Sequence, residues 1–216
     1  MSSKEIQIAG MEPFSTVDWP DKIAVTLFLQ GCPWQCEYCH NFDILDPKVP
    51  GQIPWSEVLE LLEKRQGLID GVVFSGGEPL MQPAIIEAAQ TVKDLGFLVG
   101  LHTGGAYPKT LEKLIPYLDW VGFDIKAPWE KYDQVTLRRN SAPAAQASLK
   151  LLLDQQIDLQ TRTTFDKLLL TDHDLKLIDQ QLKNIGAPPT IVQEIRTLGT
   201  SDEFKERYRQ RPVVSY

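Results

Sequence analysis

The sequence predicts an α/β fold, an open partial (β/α)6 barrel. Three observations predict it. Six short apolar runs recur along the chain. Helical patterns separate most of them, and such alternation implies a parallel sheet with right-handed crossovers. Six units in roughly 190 residues fall short of the eight that close a full barrel.

The first run is "IAVTLFLQ" at residues 23–30, followed by "GVVFSGG" at 71–77 and "LVGLHTG" at 98–104. Then come "WVGFDIKA" at 120–127, "LQTRTTF" at 159–165 and "TIVQEIR" at 190–196. Each is four to eight residues rich in Val, Ile, Phe and Thr, which suits a buried strand.

The intervals carry helix signals. Ser56 is a candidate N-cap for the stripe Val58, Leu59, Leu61 and Leu62, with Lys64 and Arg65 in the last turn and Gly67 as the stop. Ile85, Ile86, Ala89 and Val92 repeat the plan and stop at Gly96. Leu111, Leu114, Ile115 and Leu118 follow Pro108, and Ala145, Leu149, Leu152 and Leu153 follow Ser141. Leu175, Ile178, Leu182 and Ile185 follow Thr171 and end at Gly186. A spacing near 3.6 lets each stripe cover one face of a sheet. One domain is expected over residues 1–198. Residues 199–216 are charged and differ in texture, reading as a short helix and arm or as a solvated tail.

Composition narrows the function. The chain has 216 residues, 43% hydrophobic and 24% charged, an ordinary core-forming mixture. The net charge is 22 minus 29, or -7, without a basic patch, so nucleic acid is not an expected partner. No apolar run is long enough for a membrane span, and "MSSKEIQIAG" lacks a signal-peptide core. A cytoplasmic, reducing setting is expected, where clustered cysteines point to metal binding or catalysis.

All three cysteines fall in "GCPWQCEYCHN", residues 31–41, with the spacing C-x3-C-x2-C at Cys32, Cys36 and Cys39. The loop follows the first run, at the strand end where β/α active sites collect. Three thiolates can hold three irons of a 4Fe-4S cube and leave the fourth open to a substrate. The competing readings are a zinc site completed by His40 and three inert thiols. Trp34 and Tyr38 are placed to shield the loop. At the end of the second run, "FSGGEP" offers Gly76 and Gly77, whose backbone can approach a ligand, and Glu78, whose carboxylate can hold an ammonium group. The alternative there is an ordinary strand-to-loop turn.

The two motifs together resemble the radical S-adenosylmethionine superfamily. "FSTVDWPDKIAVTLFLQGCPWQCEYCHN" is similar to the entry of glycyl-radical-enzyme activases. "GLIDGVVFSGGEPLMQP", "FDIKAP", "RTTF" and "VQEIR" resemble the activating proteins of anaerobic ribonucleoside-triphosphate reductase. The resemblance covers roughly residues 10–197 and implies the partial barrel of the radical SAM type, a 4Fe-4S cluster and S-adenosylmethionine. It implies reductive cleavage of that cofactor and a glycyl radical installed on a partner enzyme, with flavodoxin or ferredoxin as electron donor.

Residue by residue, it implies that Cys32, Cys36 and Cys39 ligate the cluster and that Gly76, Gly77 and Glu78 cradle the methionine amino end. His40 and Asn41 fall where relatives touch the cofactor. Asp124 and Lys126 share a strand face, and Lys126 is expected to pair with the cofactor carboxylate; a surface-facing pair on an edge strand is the alternative. Arg162 matches an arginine near the cofactor, and Gln193 occupies a family position on the last strand. Thr103 lies at a cofactor or cation contact. Relatives often read "DTNG" where this chain has "HTGG", so His102 replaces an acid and Gly104 an amide, and His102 reads equally as a packed, hydrogen-bonded histidine or a functional one. Asp18 and Trp19 belong to an entry hairpin, near an incoming peptide or simply packed. The rival functions are a radical enzyme acting on a small molecule such as a deazapurine precursor, and a non-catalytic metal-binding or electron-transfer module.

Overall fold

The computed structural model describes residues 5–210. One seven-stranded sheet runs in chain order: β1 (Ile8–Ser15), β2 (Ala24–Leu29), β3 (Gly71–Gly76), β4 (Leu98–Thr103), β5 (Trp120–Asp124), β6 (Asp158–Phe165) and β7 (Ile191–Glu194). From β2 to β7 every pairing is parallel, so all six strands seen in the sequence are present. The sheet has a seventh strand that the sequence reading did not count. β1 pairs antiparallel with β2 and forms the entry hairpin. Its pattern is interrupted by two register irregularities, and Pro13 falls within the second. A proline cannot donate to a ladder, so it is tolerated on such an edge strand while masking the alternation that marks one.

The helices are α1 (Trp55–Lys64), α2 (Ile85–Asp94), α3 (Pro108–Leu114), α4 (Tyr132–Thr136), α5 (Ser141–Asp154), α6 (Asp172–Asn184) and α7 (Asp202–Arg209). Thr171 caps α6 in a reciprocal capping box with Asp174. Gly67, Gly96 and Gly186 take positive φ after α1, α2 and α6, as their stop positions require. Helix α1 starts one residue before the expected cap: Pro54 is its N-cap and the buried Trp55 opens it. Short α4 had no periodic stripe to announce it and ends in the left-handed Leu137. Among the described residues, no helix is long and apolar enough to cross a membrane.

Strand alternation sorts the interior into two cores. Val25, Leu27 and Leu29 of β2, Val72 and Phe74 of β3, Leu101 of β4 and Phe123 of β5 are buried in one cluster with the helix stripes, including Val58, Leu62, Leu149 and Leu152. The opposite parity points inward. There, Ala24, Val73, Trp19 and Trp120 make a small second core, with the two indoles stacked at 5.5 Å. Gly100 leaves room for them; a Cβ there would press Trp19 at 2.8 Å. The same inward rows become polar toward the strand ends. Register sets Phe28 beside Ser75, His102 beside Gly122, and Asp124 beside Arg162. An apolar floor therefore lies beneath a polar chamber. β7 closes the order at an edge, and its four residues are exposed rather than buried as the apolar run suggested.

Candidate active site

The chamber opens at the C-terminal ends of the strands as a cavity of about 620 Å³. The ligand and cofactor candidates named from the sequence line it: Cys32, Cys36, Cys39, His40 and Asn41; Gly76, Gly77 and Glu78; Thr103; Asp124 and Lys126; Arg162; and Gln193. Asp18 and His102 line it as well, whereas Trp19 belongs to the floor.

The cysteine loop leaves β2 through Gly31, whose φ of +94° excludes most side chains. Gly31 and Cys32 N–H donate to the Ile44 and Leu45 carbonyls at 2.8 and 3.0 Å, and Gln35 N–H donates to Thr136 O at 2.9 Å. Burial pushes all three thiols up, Cys36 to about 11. Trp34 and Tyr38 are both buried, as shielding residues should be. Among the described residues, no three His, Cys, Asp or Glu side chains gather for a single metal ion. The three thiols all border the same cavity, and a set of three cysteines is a donor set that iron–sulfur clusters use. Tyr38 Oη is buried without a hydrogen-bond partner, in the electrostatic neighbourhood of Cys36 and Lys126. A buried donor of this kind calls for an acceptor, and the donor set as a whole fits a cluster.

The Gly-Gly pair has a packing reason of its own. Gly76 has φ +114°, and a Cβ there would overlap the Leu29 backbone; one on Gly77 would overlap the Gly31 carbonyl oxygen. Glu78 is fully buried, and its carboxylate already has three partners. Leu80 N–H and Thr103 Oγ1 donate to Oε1 at 3.1 and 2.6 Å, and Gly104 N–H donates to Oε2 at 3.0 Å. It therefore ties the loop after β3 to the loop after β4. Burial raises its pKa, against the lowering effect of those hydrogen bonds. Asn41 Nδ2 donates to Gly76 O at 2.8 Å, linking the cysteine loop to the same turn.

Asp124 sits between two cations. Lys126 Nζ lies 3.0 Å from Oδ2, and Arg162 Nε donates to Oδ1 at 3.1 Å. Burial works against the Asp124 charge, but Lys126 and Arg162 win and hold the carboxyl below its usual range. Burial likewise opposes the Lys126 ammonium, and Asp124 keeps it well above its ordinary value. Tyr132, which the sequence reading missed, fixes this corner: its Oη accepts from Lys126 N–H and donates to Asp124 O, both at 3.3 Å. Asp124 ends the interior strand β5 and Lys126 lies two residues beyond it, and both line the cavity rather than a surface edge. Two cations against one anion leave a net positive charge, which favours an anionic ligand.

The "HTGG" departure has a local account. His102 Nε2 meets Asp18 O at 2.7 Å and Nδ1 meets Ser75 Oγ at 3.2 Å, so Nε2 carries the proton and Ser75 donates to Nδ1. The ring is a strut between β4 and the entry hairpin. Trp34 fills the place a side chain at Gly104 would need. Burial, reinforced by Arg162, pushes His102 down to about 4. The unfolded chain therefore binds a proton near pH 6.5 that the native chain refuses until about 4, and stability falls as pH drops through that window. Between pH 7 and 5 the expected loss from this residue is about 2 kcal/mol. Urea unfolding at both pH values should show a smaller loss for His102→Asn than for the wild type. Equal losses would contradict the neutral strut.

The far wall comes from Gln193, Glu194, Ile195 and Arg196. Glu194 and Arg196 were not picked out individually, although "VQEIR" was the available signal. His40 turns toward this wall: its Nε2 accepts from Arg196 N–H at 3.2 Å.

Known proteins resemble this chain in sequence and fold. The profile of the Radical SAM superfamily matches residues 26–179. A putative glycyl-radical enzyme activating enzyme of Methanocaldococcus jannaschii is 28% identical over 214 residues, covering 95% of this chain and 85% of the relative. A pyruvate formate-lyase-activating enzyme of Clostridium pasteurianum is 33% identical over 125 residues, covering 56% of this chain and 52% of the relative. Among solved structures, native anSMEcpe with bound AdoMet superposes with a TM-score of 0.60 at 16% identity, over 77% of this chain and 50% of that one. Streptococcus suis SuiB bound to its precursor peptide SuiA gives a TM-score of 0.64 at 12% identity, over 83% and 43%. These two support the fold.

Proposed function

From the premise that this chain belongs to the radical S-adenosylmethionine superfamily, whose enzymes use a 4Fe-4S cluster and S-adenosylmethionine, we propose that it is a glycyl-radical-enzyme activase. When bound, these groups would supply the radical chemistry, the reductive cleavage of S-adenosylmethionine coupled to hydrogen-atom abstraction from a partner's glycine. The chain's own residues bind and orient. Cys32, Cys36 and Cys39 hold the cluster. Lys126 and Arg162, braced by Asp124, receive the cofactor carboxylate. The Gly76–Gly77 backbone, fixed by Glu78 and Asn41, borders the amino end, and the Trp19–Trp120 floor keeps water from entering below.

The observation that carries an activase over a small-molecule enzyme is the open side of the chamber. Its wall ends in β7, exposed throughout, and Val17, which also lines the chamber, is 87% exposed. Such a rim suits a polypeptide segment more than an enclosed metabolite. The names of the two sequence relatives support the same reading. Anaerobic ribonucleotide reductase is the first partner candidate and pyruvate formate-lyase the second, with flavodoxin or ferredoxin as electron source.

The test mixes reduced, cluster-loaded protein and S-adenosylmethionine with each candidate partner under anaerobic conditions. The expected result is an electron paramagnetic resonance doublet from a glycyl radical on one of them. Radical transfer to a small metabolite, with no doublet on either partner, would contradict the activase reading.

A further inference from the structure

We propose that the C-terminal segment, residues 195–209, is a strap that holds the cysteine loop in its ligand-presenting conformation. This rests on the reading that the three cysteines carry the cluster. The first half of the loop is fixed from elsewhere, through Ile44, Leu45 and Thr136. Its second half, past Cys36, meets the strap at successive points. Arg207 of α7 pairs with Glu37, which stands between Cys36 and Cys39. Arg196 N–H donates to His40 Nε2 at 3.2 Å, and Phe42 N–H donates to Gly199 O at 3.2 Å.

Gly199 marks the closest approach. Its φ is +82°, and a Cβ there would overlap the His40 carbonyl oxygen, one residue beyond Cys39. Position and conformation both demand glycine. The strap has its own anchor. Thr200 closes a turn on Thr197 O at 2.7 Å, and Ser201 caps α7 by accepting from Phe204 N–H at 3.1 Å. Phe204 is 2% exposed within the main core, with Arg207 over its ring. An apolar anchor at one end and backbone contacts at the other make the segment part of the cluster site.

The experiment uses the full-length chain, anaerobically reconstituted. It reads iron release to a chelator, hydrogen–deuterium exchange of residues 36–42 in the metal-free protein, and the thermal midpoint. Gly199→Ala should release iron about tenfold faster or more and exchange faster across the loop. Arg207→Ala and Glu37→Ala should each speed release about two- to fivefold, with the double variant no faster than either single, while the thermal midpoint stays near wild type. Additive effects, or wild-type release and exchange in all variants, would overturn the strap. If the wild type binds no iron, the cluster reading fails, and the exchange measurement still decides whether the segment restrains the loop.

Discussion

Cys36→Ala is expected to abolish iron retention and S-adenosylmethionine cleavage together. Cys36 is the buried member of the three thiols, and its carbonyl accepts from Cys39 N–H at 3.0 Å, closing the turn that carries both. Two remaining thiolates cannot hold a cube that uses three protein ligands. Alanine preserves the turn, so the metal-free protein should keep its fold and thermal midpoint. Iron and sulfide content, read beside 5'-deoxyadenosine formation, checks this. A variant with full iron and full turnover would refute the ligand assignment.

Glu78→Ala is expected to lower stability as well as cofactor affinity. The carboxylate satisfies Leu80 N–H, Thr103 Oγ1 and Gly104 N–H inside the protein. Removing it leaves buried donors unpaired at about 1–3 kcal/mol each, partly relieved by water in the new space. A net cost of about 3 kcal/mol corresponds to a midpoint roughly 6–12 °C lower for a chain of this size. Calorimetry of the metal-free protein separates this from ligand binding. A midpoint equal to wild type would mean that the carboxylate serves the ligand alone.

The barrel was legible because its signals are local. Runs of β-branched and aromatic residues, each followed by a 3.6-period stripe, identify β2 to β6 and most of the helices without reference to distant contacts. β7 was found by the same rule but its burial was not, since an apolar run looks alike at a sheet's centre and at its edge. β1 was left uncounted because Gly10 and Pro13 break its alternation, and a bulged edge strand is defined by its partner.

Spacing singled out the three cysteines and the paired glycines, and the fold brings them to one cavity. The site was less legible where a side chain's role depends on what packs against it. Glu78 looks like a ligand in sequence, and only the fold reveals its three internal donors. His102 reads equally as a packed, hydrogen-bonded histidine or a functional one, and the fold makes it the packed strut. The tail shows the same limit. Residues 202–209 are a helix, as one of the two expectations had it, but Phe204 is buried and Arg207 reaches Glu37. Phe204 and Tyr208, stacked one turn apart against the core, are too short a stripe to announce an anchor. The proposed arm, residues 211–216, lies outside the described residues.

The most direct measurement follows hydrogen from partner to cofactor. The partner glycyl-radical enzyme is prepared with deuterated glycine and mixed anaerobically with the reduced protein and unlabelled S-adenosylmethionine. The activase account predicts one deuterium in the recovered 5'-deoxyadenosine and a collapsed hydrogen splitting in the radical's doublet. Deuterium-free 5'-deoxyadenosine, formed while the glycyl radical accumulates or with no radical at all, would contradict it.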